Sequence, residues 1–557
     1  MAKSAKLAAS VVLLSLSLHV LGSHVIGYLY PAVSIALIIG VIGILLVLVA
    51  TDLRSSKAVY LLAGLSAFHR VWLYTFPASM MRFDPDAYAV RSQVIINTSS
   101  IDTVVGDFYH IAAAFPITGA VTSLITNLNI DAAYAIFPLI LGFVLPLFAA
   151  ILACHVVPSK ASAPVAAAIV TVGAPSTTFS IAPIPITLAS IFLTGAVAVA
   201  VLAPTRLRLR WIILIMVFGV GATFTHKLPL LILAGISGLF VVYTKGLRVV
   251  NSEVRDSYGN MLTGLAGSLL IVQWAYATNY LQDGVFHIFE LVGVSVANGN
   301  VTAPLAAERL SQPMLVSLMN NIFYPLLLEV GGVAGLLFIR EYRRRNVRML
   351  QAAAGVAVLL TVPSVVTGLG PGFQRVYIYG SAFVAALIAA GLTKVEWTDS
   401  RWRQVFAATA VVAIIISNPL SVAATPDYPG TPRQYLTAAE VEGKQFTDDH
   451  TEGVVYRDLV YGDEVVDFEA ASRGDDWHQR QVPNPWDPGL LSSELYNGTL
   501  LTKGYERVSL RTNVDVWRLR GGWYRLDWNP EQSLNKVYNR VYSNGGVVTY
   551  DKPSAVV

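Results

Sequence analysis

The residues able to do chemistry are few and closely spaced. Asp84-Pro85-Asp86-Ala87-Tyr88 sets two carboxylates around a single proline, after a stretch from Met1 to Met81 whose only carboxylate is Asp52. Asp102, Asp107 and His110 follow in the same segment. A carboxylate at a membrane surface can take a proton from an acceptor hydroxyl or hold a divalent cation. Asp before Pro is also ordinary turn chemistry, and an interfacial histidine can be purely structural. The scarcity of acids around Asp84 and Asp86 favours the chemical reading for that pair.

The elements that must position these groups are apolar. Mean hydropathy is +0.57. Only 13% of residues are charged, against about a quarter in a soluble domain. Of 35 acidic residues, 20 lie in Ser421–Val557. The composition therefore divides the chain into an apolar body, residues 1–422, and a polar tail, residues 423–557. The tail carries 20 acidic against 14 basic residues, and the net charge of +4 gives no sign of a nucleic-acid partner. One cysteine, Cys154, lies in an apolar run, so an exported tail folds without an internal disulfide. Lys3 and Lys6 ahead of an apolar run, with more apolar runs directly behind, read as a signal anchor.

A spanning helix needs about 20 apolar residues. Apolar runs predict about 13 spans, roughly at 7–27, 31–51, 57–77, 132–154, 162–179, 182–203, 211–225, 228–244, 260–280, 314–339, 349–368, 376–393 and 405–422. Pro175, Pro183 and Pro185 make the fifth and sixth the least regular. With the N-terminus cytoplasmic, the basic clusters of the body fall in cytoplasmic loops, the largest being Arg340, Arg343, Arg344, Arg345 and Arg348. The tail and the segments 78–131, 226–227, 281–313 and 369–375 then lie outside. The three Asn-x-Ser/Thr sequons, at Asn97, Asn300 and Asn497, all fall in external segments. In the tail, Thr512–Leu519 and Gly546–Tyr550 predict strands, Asn544-Gly545-Gly546 a turn and Ala438–Asp449 a helix. The expected fold is a polytopic α-helical membrane protein with a C-terminal external α/β domain.

This orientation leaves several basic residues on the external side, against the general bias: His226-Lys227 between two apolar runs, Arg375 at the start of a late one, and Arg82 beside the acids. Binding a phosphate at the membrane interface is one reason to keep them there, and snorkelling to lipid headgroups is the alternative. Asp283, His287, Glu290, Glu308 and Arg309 read as a solvated face, and Glu329 as an intramembrane carboxylate. No phosphate-loop or dinucleotide fingerprint and no zinc-binding pattern occurs in the sequence, so no nucleotide-driven step is indicated. Acids beside the first large external segment and cations at later external boundaries suit transfer of a group from a lipid phosphate to an acceptor hydroxyl.

The acid segment Arg82-Phe-Asp-Pro-Asp-Ala-Tyr88, the turn Thr225-His226-Lys227-Leu228 and Gln374-Arg375 resemble the GT-C class of polyprenyl-phosphate-sugar glycosyltransferases. The stretch Asn535–Tyr550 resembles the terminal domain of its archaeal members. The nearest resemblance is to the haloarchaeal dolichol-phosphate-mannose mannosyltransferases of S-layer N-glycosylation. It implies an inverting hexosyl transfer, of mannose in that family's pattern, from a dolichol-phosphate donor to a glycan on an S-layer glycoprotein or a lipid, outside the cell membrane. It implies Asp84 or Asp86 as base, with Arg82, Asp107, His110, His226, Lys227 and Arg375 as substrate- or phosphate-binding groups. No metal or other cofactor is assigned. Relatives often carry adjacent acids, whereas Pro85 separates them here, and two more spans precede the acid segment than in the simplest pattern. The competing reading is a transporter or flippase for lipid-linked sugars.

Overall fold

The structure is a computed structural model. It describes residues 2–25, 30–80, 83–101, 112–204, 209–250, 258–277, 307–309, 327, 330–332, 334–335, 344–367, 373–394, 405, 409–417, 435–450, 455–457, 459–473, 507–512, 514, 517–519, 522–526 and 529–552.

The body is helical: α1 (Ala2–Val25), α2 (Tyr30–Ala50), α3 (Ser55–Thr75), α4 (Phe83–Thr98), α5 (Ala114–Thr126), α6 (Ile130–Ala133), α7 (Ile136–Val156), α8 (Ser162–Thr171), α9 (Ala174–Ile181), α10 (Pro185–Leu202), α11 (Leu209–Thr223), α12 (Pro229–Val250), α13 (Tyr258–Ile271), α14 (Arg345–Thr367) and α15 (Phe373–Lys394). Among the described residues six helical stretches are long and apolar enough to cross a membrane: Lys3–His24, Val33–Ala50, Ile130–Val156, Pro185–Leu202, Pro229–Val249 and Arg375–Thr393. This is a multi-pass membrane protein. The segment expected at 314–339 lies mostly outside the described residues, and of the one expected at 405–422 the structure describes 405 and 409–417.

Two differences from the expected spans have clear causes. The run 162–179 is not one helix. It ends at Thr171 and restarts at Ala174, because Gly173 is extended (φ −62°, ψ 121°) and Pro175 stands in the first turn of α9. The carbonyls freed by the break are taken by a buried arginine: Arg70 of α3 donates to Val170 O and Thr171 O, each at 3.2 Å. Gly142 of α7 makes room for it, since a Cβ there would lie 2.7 Å from Ala67 Cα and 3.0 Å from Arg70 Cδ. Second, the segment 78–131, expected to be an external connection, holds the helices α4 and α5.

Polar contacts fix the bundle at depth and at one end. His19 Nε2 lies 2.9 Å from His69 Nδ1, tying α1 to α3. At the end where α2, α7 and α10 finish and α3, α8 and α14 begin, Lys160 Nζ donates to Thr51 O at 3.1 Å. There too Arg344 donates to Val156 O at 2.8 Å and Arg345 to Pro204 O at 3.1 Å. These cations meet helix C-termini, where carbonyls lack partners. The ends of α3, α9 and α11, and the starts of α10, α12 and α15, are at the opposite end.

The tail adds α16 (Ala438–His450), the short helices α17 (Leu459–Asp463), α18 (Phe468–Ser472) and α19 (Pro530–Leu534), and six strands: β2 (Val455–Arg457), β3 (Arg507–Arg511), β4 (Trp517–Leu519), β5 (Gly522–Leu526), β6 (Asn539–Ser543) and β7 (Val547–Asp551). One sheet runs β2-β3-β7-β6, parallel only between β2 and β3. A second runs β1-β5-β4, in which β1 (Ala307–Arg309) comes from the segment expected as a solvated external loop. The strand expected at Thr512–Leu519 is the end of one strand's neighbourhood and the whole of the next: β3 stops at Arg511 and β4 starts at Trp517. The β6–β7 turn uses Gly545 at φ +84°, with Asn544 Oδ1 accepting from Gly546 N and Val547 N at 3.1 and 3.0 Å.

Candidate functional site

Asp84 and Asp86 occupy the first turn of α4. Pro85 fits there because a helix leaves its first amides without intrahelical partners, so the missing N–H costs nothing. The positive end of the helix favours both carboxylates. Their surroundings differ sharply. Asp84 is exposed, whereas Asp86 is fully buried and accepts a 2.9 Å hydrogen bond from the backbone N–H of Val465 in the tail.

The same tail strand of sequence holds the chain on the other side of the acids. Glu464 Oε2 accepts from Ser79 Oγ at 2.7 Å, and Ser79 Oγ accepts from Leu436 N at 2.8 Å. Val90 and Val94 of α4 pack on Val465, Phe468 and Ala471, and Asn97 donates to Ser472 Oγ at 2.8 Å. Glu464 is set in turn by Lys444 of α16, whose buried ammonium donates to Tyr461 O (2.7 Å), Gly462 O (3.1 Å) and Glu464 O. Burial, and then Arg457, push Lys444 down to about 7, while Asp448, Glu464 and Asp86 pull it the other way.

The second group lies in the turn between α11 and α12. Its backbone is held from two directions. Phe224 O accepts from Ala114 N of α5 at 2.9 Å. Thr223 O and His226 O both accept from Gln273 Nε2, at 2.5 and 3.2 Å, and Lys227 O accepts from Trp274 Nε1 at 3.0 Å. Gln273 and Trp274 stand in a π-helical turn, Val272–Ala277, a widening common at functional positions.

His226 is 2% exposed. Its Nδ1 accepts from Leu228 N at 3.2 Å and lies 3.1 Å from Tyr379 Oη, which in a neutral ring assigns the proton to Nε2. Burial first, then the charges of Lys227 and Arg375, push its pKa down to about 3. At neutral pH His226 is therefore an uncharged hydrogen-bonding group, and the positive charge expected here comes from Lys227 and Arg375. Arg375 is exposed in the first turn of α15, one helical turn ahead of Tyr379 and on its face. That spacing brings it within electrostatic reach of His226.

Helix α5 joins the two groups. Its Ala114 bonds the turn, and its Phe115 ring meets Tyr88 of α4 edge-on at 5.5 Å between centroids. The structure thus brings His226, Lys227 and Arg375 together and places Asp84 at the same end of the bundle. Arg82, Asp107, His110 and Glu329 lie outside the described residues. Among the described residues no three His, Cys, Asp or Glu side chains gather as metal ligands. Beside Ser79, a cleft of about 180 Å³ opens between body and tail, lined by Tyr74, Met80, Asp131, Val465 and Phe468 among others.

Sequence reasoning missed Tyr379, Gln273, Trp274, Lys444, Glu464 and Val465. Tyr379 carried a readable signal, its four-residue spacing from Arg375. Glu464 and Val465 carried none, because Ser79 and Asp86 lie 385 and 379 positions away.

No family model matches the chain, and no curated protein matches it. Among solved structures, ArnT from Cupriavidus metallidurans in the apo state is similar at 11% identity and a TM-score of 0.46, over 87% of this chain and 97% of that one. Arabinofuranosyltransferase AftD from Mycobacteria is similar at 12% identity and a TM-score of 0.47, over 90% of this chain but only 40% of AftD. ArnT from C. metallidurans bound to undecaprenyl phosphate is similar at 12% identity and a TM-score of 0.37, over 92% of this chain and 98% of that one.

Proposed function

We propose that this protein is a membrane glycosyltransferase of the GT-C kind. In this reading it moves a hexose, mannose by its sequence resemblance, from a dolichol-phosphate donor to a glycan on an S-layer glycoprotein or lipid outside the cell membrane. The observation that carries the proposal is the placement at one end of the bundle of an exposed carboxylate, Asp84, and two cations, Lys227 in the α11–α12 turn and Arg375 at the start of α15, with α5 packed against both α4 and that turn.

The acceptor hydroxyl attacks the anomeric carbon of the donor and passes its proton to Asp84. The bond from that carbon to the phosphate oxygen breaks, and the configuration inverts. The polyprenyl phosphate leaves with the electron pair and an added negative charge. Lys227 and Arg375 stabilise that charge, and neutral His226 can add a hydrogen bond through Nε2–H. Asp84 is the base in this scheme because it is reachable. Asp86 is an anchor, since its carboxylate is buried against Val465. The cleft beside Ser79 offers the acceptor an approach between body and tail.

The test is sugar transfer from purified lipid-phosphate-sugar in detergent, comparing wild type with Asp84→Asn. Wild-type transfer that falls by roughly 10²–10⁴-fold in the variant supports the base assignment. Full transfer by the variant removes it. No transfer by wild type with any polyprenyl-phosphate hexose, together with movement of the sugar lipid across vesicles, would instead make the protein a transporter.

A further inference from the structure

Two neighbouring tail residues grip the chain on both sides of Asp84. Glu464 accepts from Ser79, five residues before it, and Val465 donates to Asp86, two residues after it. Asp84 therefore stands in a short span whose two ends are fastened to one dipeptide of the tail. Lys444 fixes that dipeptide, because its three N–H donors meet the carbonyls of Tyr461, Gly462 and Glu464. The packing of Val90 and Val94 on Phe468 and Ala471 fastens the rest of α4 to the same part of the tail.

We propose that Lys444, Glu464 and Val465 are positioning residues for Asp84, so that the tail is a working part of the transfer site. This rests on the glycosyl-transfer reading above. A general base must be held within hydrogen-bond reach of the proton it takes, and a displacement of about 1 Å can cost on the order of 10²-fold in rate. The donor's phosphate meets the other group, in the turn at His226–Lys227, whose backbone is held by Ala114, Gln273 and Trp274. Loosening the grip should therefore lower kcat and leave the KM for donor nearly unchanged.

The experiment uses full-length protein in detergent. Glu464→Ala, Lys444→Met and Ser79→Ala are compared with Glu464→Gln, which keeps an acceptor for the Ser79 hydroxyl. Transfer kinetics are measured together with hydrogen–deuterium exchange of the α4 amides. The expected result is a kcat lowered about tenfold or more in the three disruptive variants, a donor KM within about twofold of wild type, faster α4 exchange, and near-normal values for Glu464→Gln. Wild-type kcat and wild-type exchange in Glu464→Ala and Ser79→Ala would overturn the proposal. Ser79→Ala removes one oxygen atom, so it keeps the test open if Lys444→Met fails to fold. The two readings fail separately. If Asp84→Asn retains full transfer, the base assignment falls while the exchange data still report on the grip. If Asp84→Asn is inactive but the tail variants match wild type, the base stands and the grip falls.

Discussion

The hydroxyl of Tyr379 lies 3.1 Å from Nδ1 of His226, linking α15 to the turn between α11 and α12. Leu228 N donates to the same nitrogen. Tyr379→Phe removes one of these two contacts, worth about 0.5–1.5 kcal/mol. The expected outcome is a donor KM raised roughly two- to twelvefold with kcat little changed, read from initial rates at varied lipid-phosphate-sugar.

Lys227 and Arg375 should weigh more, because a charge-assisted contact to phosphate contributes about 1.5–3 kcal/mol. Lys227→Met and Arg375→Met should each weaken donor affinity roughly tenfold to a hundredfold. Equilibrium binding of a polyprenyl phosphate without the sugar isolates this effect from the acceptor. Unaltered binding in both variants would assign these cations to lipid headgroups.

The pH dependence of stability follows from His226. Its folded pKa of about 3 lies below the unfolded value of about 6.5, so the unfolded state takes the proton first. The stability it confers is complete above pH 6.5 and declines as pH falls toward 3. Thermal unfolding in detergent between pH 7 and pH 4 should show Tm falling with pH, and His226→Gln should flatten that slope. An identical slope in the variant would mean that other groups set it.

Arg70 predicts a purely structural effect. Arg70→Leu removes the side-chain donor of Thr171 O inside the bundle and leaves Val170 O with the backbone N–H of Gly173. Losing charged hydrogen bonds there costs about 3 kcal/mol or more. A lower Tm with normal kcat per folded molecule is the expected pair of results.

How much of this was legible depended on the range of the interactions. Apolar periodicity located α7, α10, α12 and α15, because a spanning helix satisfies its own backbone and must be apolar throughout. The helix Ala438–His450 and the turn at Gly545 also came from local signals. The break at Thr171–Ala174 was only half visible. Pro175 flagged it, but Arg70, which makes it tolerable, sits 100 positions upstream of Val170. The grouping of His226 with Arg375 had no sequence signal beyond their shared side of the membrane. The unlike surroundings of Asp84 and Asp86 had none either, since Val465 meets Asp86 from the far end of the chain.

Strand β1 has a practical consequence. Ala307–Arg309 belongs to the body by sequence but pairs along β5, with Glu308 opposite Arg525. A secreted fragment of residues 423–557 would carry β5 with a bare edge, and its amides and carbonyls would be open to a neighbouring molecule. Such a fragment should self-associate. Supplying residues 300–313 as a separate peptide should restore a monomer in sedimentation runs, so that where the tail begins is a matter of pairing and not of chain position.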